Sequence, residues 1–246
     1  MKKQFAVFTL ALLVLLSMTA MAATGRNDQQ IQQAVSHKMQ SDKHLQNVQS
    51  SVEDGIVTLT GSVNLYQEKL DAAKKAKKVS SVGGVRNDIN VSGETVADAQ
   101  LESKLAKKLA YDRVGYYDNA FNFVAVDVKD GVVTLTGDTL YDIPKDMALS
   151  IVARTPGVKD VVNEIKVLPV SNFDDSIRVR TARAIYRDSI LGRYASDPAH
   201  PIRIVVDNGR VTLYGSVENA MDKNIAGIRA KSVFGAFSVD NKLVVD

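Results

Sequence analysis

The chain has no cysteine and no tryptophan, and only three histidines and five prolines. Without cysteine there can be no disulfide, thiolate zinc site, iron–sulfur cluster or thiol nucleophile. A lipid-anchored form is excluded too, because acylation needs a cysteine at the mature N-terminus. Beyond the first 22 residues no stretch stays apolar for the roughly 18 residues that a membrane-spanning helix needs. There is little charge excess either. The chain has 31 basic and 28 acidic side chains. Lys2 and Lys3 lie in the leading segment, so the remainder carries a net charge of only +1. A nucleic-acid-binding domain shows a strong basic excess, and none is expected here.

The leading segment has its own pattern. Lys2 and Lys3 precede an apolar run from Phe5 to Leu16, and Ala20-Met21-Ala22 has the small-x-small form of a cleavage site. Residues 1–22 are therefore expected to be a cleaved signal peptide, with no transmembrane segment left after cleavage. Export leads to an oxidising compartment, yet nothing can be cross-linked, so the folded units must hold by packing alone.

What the chain does have is a threefold repeat. Asp54-Gly55-Ile56-Val57-Thr58-Leu59-Thr60-Gly61 recurs as Asp130-Gly131-Val132-Val133-Thr134-Leu135-Thr136-Gly137 and as Asn208-Gly209-Arg210-Val211-Thr212-Leu213-Tyr214-Gly215. A second motif, Asn-x-Ile/Leu-x-Val, begins at Asn87, Asn163 and Asn241, each 32 positions after its own turn glycine. Three domains follow, at 28–92, 97–168 and 173–246. At 65–75 residues, each buries only about 60% of its unfolded surface.

Asp-Gly and Asn-Gly favour a two-residue type I′ turn, whose central residues both need positive φ. Counting outwards pairs Val52 with Val57 and Ser50 with Leu59, Val128 with Val133 and Val126 with Leu135, Val206 with Val211 and Ile204 with Leu213. Apart from Ser50, one sheet face is apolar each time, and the threonines with Tyr214 mark a wetter face. Apolar residues at helical spacing precede each hairpin: Ile31, Val35 and Met39; Leu101, Leu105 and Leu109; Ile177, Thr181, Ala184, Ile185 and Ile190. Asp98 and Asp174 are expected to be N-caps. A second helix follows each hairpin, over Leu65 to Val79, Asp142 to Arg154 and Asn219 to Val233. The expected fold class is α+β: three tandem αββαβ domains, each a three-stranded sheet with two helices on one face.

The glycine-led GxVxLxG strand and the closing Asn-x-Ile/Leu-x-Val strand resemble the BON domain family. The name refers to bacterial osmotically inducible periplasmic and nodulation proteins. The resemblance covers three copies and nearly the whole chain after residue 22. It implies a soluble periplasmic protein of a Gram-negative envelope, linked to osmotic or other envelope stress and to phospholipid membranes. The chain departs from two-copy members by its third copy, and from lipoprotein members by lacking their cysteine. Membrane contact would then be peripheral and reversible.

The recurring glycines, valines and leucines of the repeat are structural and carry no catalytic residue. No catalytic, cofactor-binding or metal-ligating residue is expected. His37 and His44 have no third ligand near them, His200 lies in a proline-flanked loop, and Ser62 and Ser216 have no triad partners at a repeated offset. Lys74, Lys75 and Lys78 fall on the side of an amphipathic helix away from Leu65, Ala72, Ala76 and Val79. They could meet an anionic phospholipid surface or simply be a solvated helix face. Tyr116, Tyr117 and Tyr194 stand in variable loops before the first strand of the second and third domains. They could contact a partner protein, as in an envelope adaptor or chaperone-like factor, or cap the small cores. The expected partners are thus an anionic phospholipid surface or envelope proteins.

Overall fold

A computed structural model describes residues 27–111, 119–197 and 202–246. The expected signal peptide, Tyr116, Tyr117 and His200 lie outside the described residues. The chain divides into two compact units, Met1–Glu94 and Thr95–Asp246. The first holds one αββαβ domain and the second holds two.

In the first unit a helix over 27–40 (α1) leads to β1 (Val48–Glu53) and β2 (Ile56–Val63), then α2 (Tyr66–Lys77) and a third strand in two pieces, β3 (Gly84–Asn87) and β4 (Asn90–Val91). β1 is antiparallel to β2, and β3 and β4 are parallel to it, so β2 is the central strand. The second unit repeats this order. Its first domain runs α3 (Asp98–Tyr111), β5 (Phe123–Lys129), β6 (Val132–Thr139), α4 (Asp142–Ala153) and an unbroken β7 (Asp160–Val167). Its second runs α5 (Asn172–Tyr186), β8 (Ile202–Asp207), β9 (Arg210–Val217), α6 (Ala220–Lys231), β10 (Ser238–Asn241) and β11 (Val244–Val245). Short 3₁₀ turns, η1 (Asn119–Phe121) and η2 (Leu191–Ala195), precede the hairpins of these two domains.

The hairpins have the expected turn and register. Asp54 and Gly55 take φ +50° and +75°, Asp130 and Gly131 +54° and +79°, and Asn208 and Gly209 +50° and +74°. Val52 faces Val57, Val128 faces Val133 and Val206 faces Val211. Val57, Leu59, Val133, Leu135 and Leu213 are fully buried beneath the helices. Ser50, the polar exception, is satisfied from α1: its hydroxyl lies 3.1 Å from that of Ser36, and Gln32 donates to its carbonyl. The closing Asn ties sheet to helix. Asn87 Nδ2 donates to Lys69 O, and Asn241 Nδ2 donates to Lys223 O, both at 2.7 Å. At the strand breaks Ile89 and Leu243 turn into the core, 2% and 1% exposed.

The two aspartates expected as N-caps have another task. Asp98 is the first residue of α3, and its carboxylate accepts from the turn amides of Asp130 (2.7 Å) and Gly131 (2.9 Å). Asp174 lies inside α5, whose N-cap is Ser171, and accepts from Asn208 N (3.0 Å) and Gly209 N (2.7 Å). Asp28 does the same for Asp54 and Gly55, at 2.9 Å each. A type I′ turn presents two consecutive amides on one side, a small concavity suited to an anion, and each domain fills it with a carboxylate from its own first helix. Asp174 is the most buried of the three in its setting, at 3% exposure. Asp174→Ala should cost about 2 kcal/mol by stranding the buried Gly209 amide, and Asp98→Ala, whose bond to Asp130 N is exposed, should cost less. Urea titrations of the two variants check the order.

A second correction concerns Ile190. It lies beyond α5 and is 41% exposed, and the adjacent Leu191 occupies the core instead.

Candidate functional site

The lysine face of α2 is only partly available. Ala72 and Ala76 are buried, which turns Lys74, Lys77 and the C-cap Lys78 outwards, and all three are exposed. Lys75 is half-buried, and its ammonium is 2.5 Å from Asp42 Oδ2. That hydrogen bond, with a second from the His44 amide, holds the Asp42 carboxyl below its usual range. Three of these lysines stand in the last helical turn, where positive charge complements the helix dipole. The exposed cations at this end of α2 are therefore Lys74, Lys77 and Lys78, with Lys75 committed to the fold.

His44 serves structure as well. Its Nδ1 lies 3.0 Å from Glu68 Oε1, while Glu68 Oε2 accepts from the amides of Asn64 and Leu65 at the start of α2. Among the described residues no three His, Asp or Glu side chains converge in a way that could hold a metal ion. No helix among them is long and apolar enough to cross a membrane.

Tyr194 is a core residue, 2% exposed, and not a surface contact. Its hydroxyl donates to Asp222 Oδ2 at 2.5 Å and accepts from Glu218 N at 3.0 Å. Burial first, then the Asp222 carboxylate, pushes its phenol up. Arg193 closes the group. It bonds Asp222, pairs with Glu218 at 3.0 Å and lies over the Tyr194 ring. In a domain this small the loop must supply core, and Leu191 and Tyr194 do so. Of the two readings of this tyrosine, capping the core is the one that its burial matches.

The third domain also departs from the wet outer sheet face. Val205 is 4% exposed and clusters with Leu140 and Leu168 of the second domain. Tyr214 stacks on Phe123 of β5, with ring centroids 3.9 Å apart and planes 4° from parallel. Thus the second and third domains dock through a sheet face that is polar elsewhere. The signal lay in the repeat: Val205 and Tyr214 replace Ser51 and Thr60 of the first copy, and Asp127 and Thr136 of the second.

A surface that periodicity did not pick out lies at the turn end of the third domain. Phe173 is 47% exposed, Phe234 86% and Phe237 75%.

Comparison with known proteins agrees with the repeat. The family model described as "BON domain" matches residues 27–93, 97–169 and 182–246. Osmotically-inducible protein Y of Escherichia coli (strain K12) is 32% identical over 122 residues, covering 45% of this chain and 57% of that protein. The chain thus spans a little over half the length of that relative. Among solved structures, CdsD, a structural protein of the type III secretion system of Chlamydia trachomatis, is 13% identical over 87% of this chain and 91% of its own, with a TM-score of 0.26. Its C-terminal domain is 14% identical over 87% and 96%, with a TM-score of 0.24. Superpositions that poor fix neither fold detail nor function.

Proposed function

The chain belongs to the BON domain family, and from that membership we propose that it is an exported, non-enzymatic periplasmic protein that associates peripherally with anionic phospholipid membranes. It supports the envelope under osmotic or other stress. The observation that carries this reading is three family domains in one chain whose curated relative is named for osmotic induction. The 1–22 segment supports export, and three tandem domains at 28–92, 97–168 and 173–246 would offer several weak contacts to one surface. Attachment without an anchor is reversible, as suits a response to changing conditions.

The exposed lysines at the end of α2 supply attraction. Each basic residue near an anionic bilayer contributes about 1 kcal/mol, and the contribution falls off within a Debye length. The protein should sediment with phosphatidylglycerol vesicles at low salt and far less with phosphatidylcholine. Lys74→Glu with Lys78→Glu should weaken low-salt binding about tenfold or more, while leaving the Asp42–Lys75 pair intact. Full-strength binding by this variant would remove α2 from the contact.

One feature favours a second reading, a protein–protein adaptor or chaperone-like factor. β7 is an unbroken eight-residue strand paired, among the described residues, on one side only, with Val162 and Val167 exposed. Such an edge can accept an extended segment by strand addition. Failure of the wild-type protein to sediment with anionic vesicles would move the weight to this reading.

A further inference from the structure

Phe173 opens α5, and Phe234 and Phe237 stand on the segment that leaves α6. The rings of Phe173 and Phe237 are 5.7 Å apart. Matching positions counted from the turn-binding aspartate and the closing Asn hold Asn27, Ser80 and Gly83 in the first domain, and Ala97, Pro156 and Lys159 in the second. The three phenylalanines are therefore particular to the third copy. None of them belongs to its core cluster, which is filled by residues such as Ile177, Ile204, Leu213 and Leu243.

The rings project from a fixed frame. Phe237 N donates to Gly209 O at 2.8 Å, and a Cβ at Gly209 would come within 2.5 Å of the Phe237 ring and 3.2 Å of Phe173. The same turn is held from below by Asp174. Gly235, at φ +95°, bends the segment over Ile177 and Arg180.

Arg180 lies beside Gly235, and Arg210, next to the turn glycine, and Lys231, three residues before Phe234, are exposed. Three acids of these elements turn inwards, Asp174 to the turn amides, Asp188 to Arg229 and Asp222 to Tyr194, while Asp175 pairs with Arg178 from a half-exposed position. Asp207, opposite Arg210 in register, is exposed and accepts from Asn208 Nδ2. Asp240, three residues beyond Phe237, is exposed and pairs with Lys242 at 3.4 Å, so exposed cations and acids both stand near the aromatic end.

Its size selects the occupant. The exposed fractions of three phenyl rings amount to about 400 Å², half of the roughly 800 Å² per partner that a stable protein interface needs. A bilayer needs no complementary surface, and projecting aromatics beside cations suit its headgroup boundary. We infer that the Phe173, Phe234 and Phe237 end of the third domain inserts into the headgroup–acyl boundary of an anionic phospholipid bilayer, with Arg180, Arg210 and Lys231 against the lipid phosphates. This inference rests on the membrane reading above. It adds an apolar component that salt does not screen, which the lysines of α2 alone would lack.

The absence of tryptophan makes the test clean. In the full chain, Phe234→Trp places a single indole at the most exposed of the three positions. With phosphatidylglycerol vesicles its emission should move to shorter wavelength and be quenched by brominated acyl chains. The triple variant Phe173→Ser, Phe234→Ser, Phe237→Ser should lose binding about a hundredfold at high salt. Its folding is checked by circular dichroism, and the single variant keeps the test sound if the triple does not fold. A protein that sediments with these vesicles while its indole stays unshifted and unquenched overturns the insertion and leaves the membrane reading standing. A wild-type protein that does not sediment overturns both.

Discussion

Gly61→Ala should destabilise the first domain by about 4 kcal/mol, against about 1 kcal/mol for Gly55→Ala six residues earlier. Both glycines have positive φ, +104° and +75°, so both substitutions force an L side chain into a disfavoured backbone region. They differ in space. At Gly55 the nearest atom to a new Cβ would be Ser81 O at 3.5 Å, an ordinary contact. At Gly61 the Cβ would stand 2.1 Å from Asn47 O, a backbone atom that cannot swing aside. The strand ends must separate or the domain must shift its register. Gly137 is in the same state, with φ +121° and a Cβ position 2.1 Å from Phe123 O. The last glycine of the GxVxLxG strand is thus set by the close approach of the chain entering the hairpin. A domain of this size has only a few kcal/mol to lose. Hydrogen exchange of the β1 and β2 amides in the full-length protein measures the loss. Equal protection in the two variants would show that the crowding at Gly61 is relieved by some cheap adjustment.

The hairpins were legible in the sequence because their determinants are local. A two-residue turn with Asp-Gly or Asn-Gly fixes the pairing by counting, and the alternation of Val and Leu then selects the buried face. The carboxylate clamps were not legible. Asp28, Asp98 and Asp174 lie 27, 33 and 35 residues before the glycine amides that they bind, and only the packing of helix on hairpin brings them there. An aspartate near a helix start reads first as a cap. The preference is right about the residue's place and wrong about its ligand.

The candidate surfaces follow the same division. Helical spacing correctly turned Lys74 and Lys78 outwards, because Ala72 and Ala76 define the opposite stripe. It could not tell that Lys75 would meet Asp42, 33 residues earlier. Tyr194 looked like a loop residue because 3₁₀ turns leave no apolar period to detect, and its burial depends on Asp222 in a distant helix. The phenylalanines of the third domain could have been found by aligning the copies and asking where only one is aromatic.

The same comparison of copies leads to the docking of the last two domains. Val205→Asp installs at the interface the residue that the second domain carries at the matching position, Asp127. It should cost about 4 kcal/mol. Val205 is 4% exposed against Leu140 and Leu168, so the new carboxylate would be desolvated among apolar neighbours. Burial there is already unfavourable to an acid: it holds the Asp138 carboxyl above its usual range against the opposing pull of Lys166. A carboxyl whose folded pKa is raised destabilises most when ionised, so the loss should be full near neutral pH and should shrink as pH falls and the group takes up a proton. Undocking leaves each hairpin intact, because Val206, Ile204 and Leu213 point to the other face. The variant should therefore unfold in two steps and become open to proteolysis in the Pro169–Asn172 linker. Tyr214→Thr, which removes only the stacked ring, should lose about 1 kcal/mol. If Val205→Asp keeps one cooperative transition at neutral pH, the two domains are held together by contacts other than this sheet face.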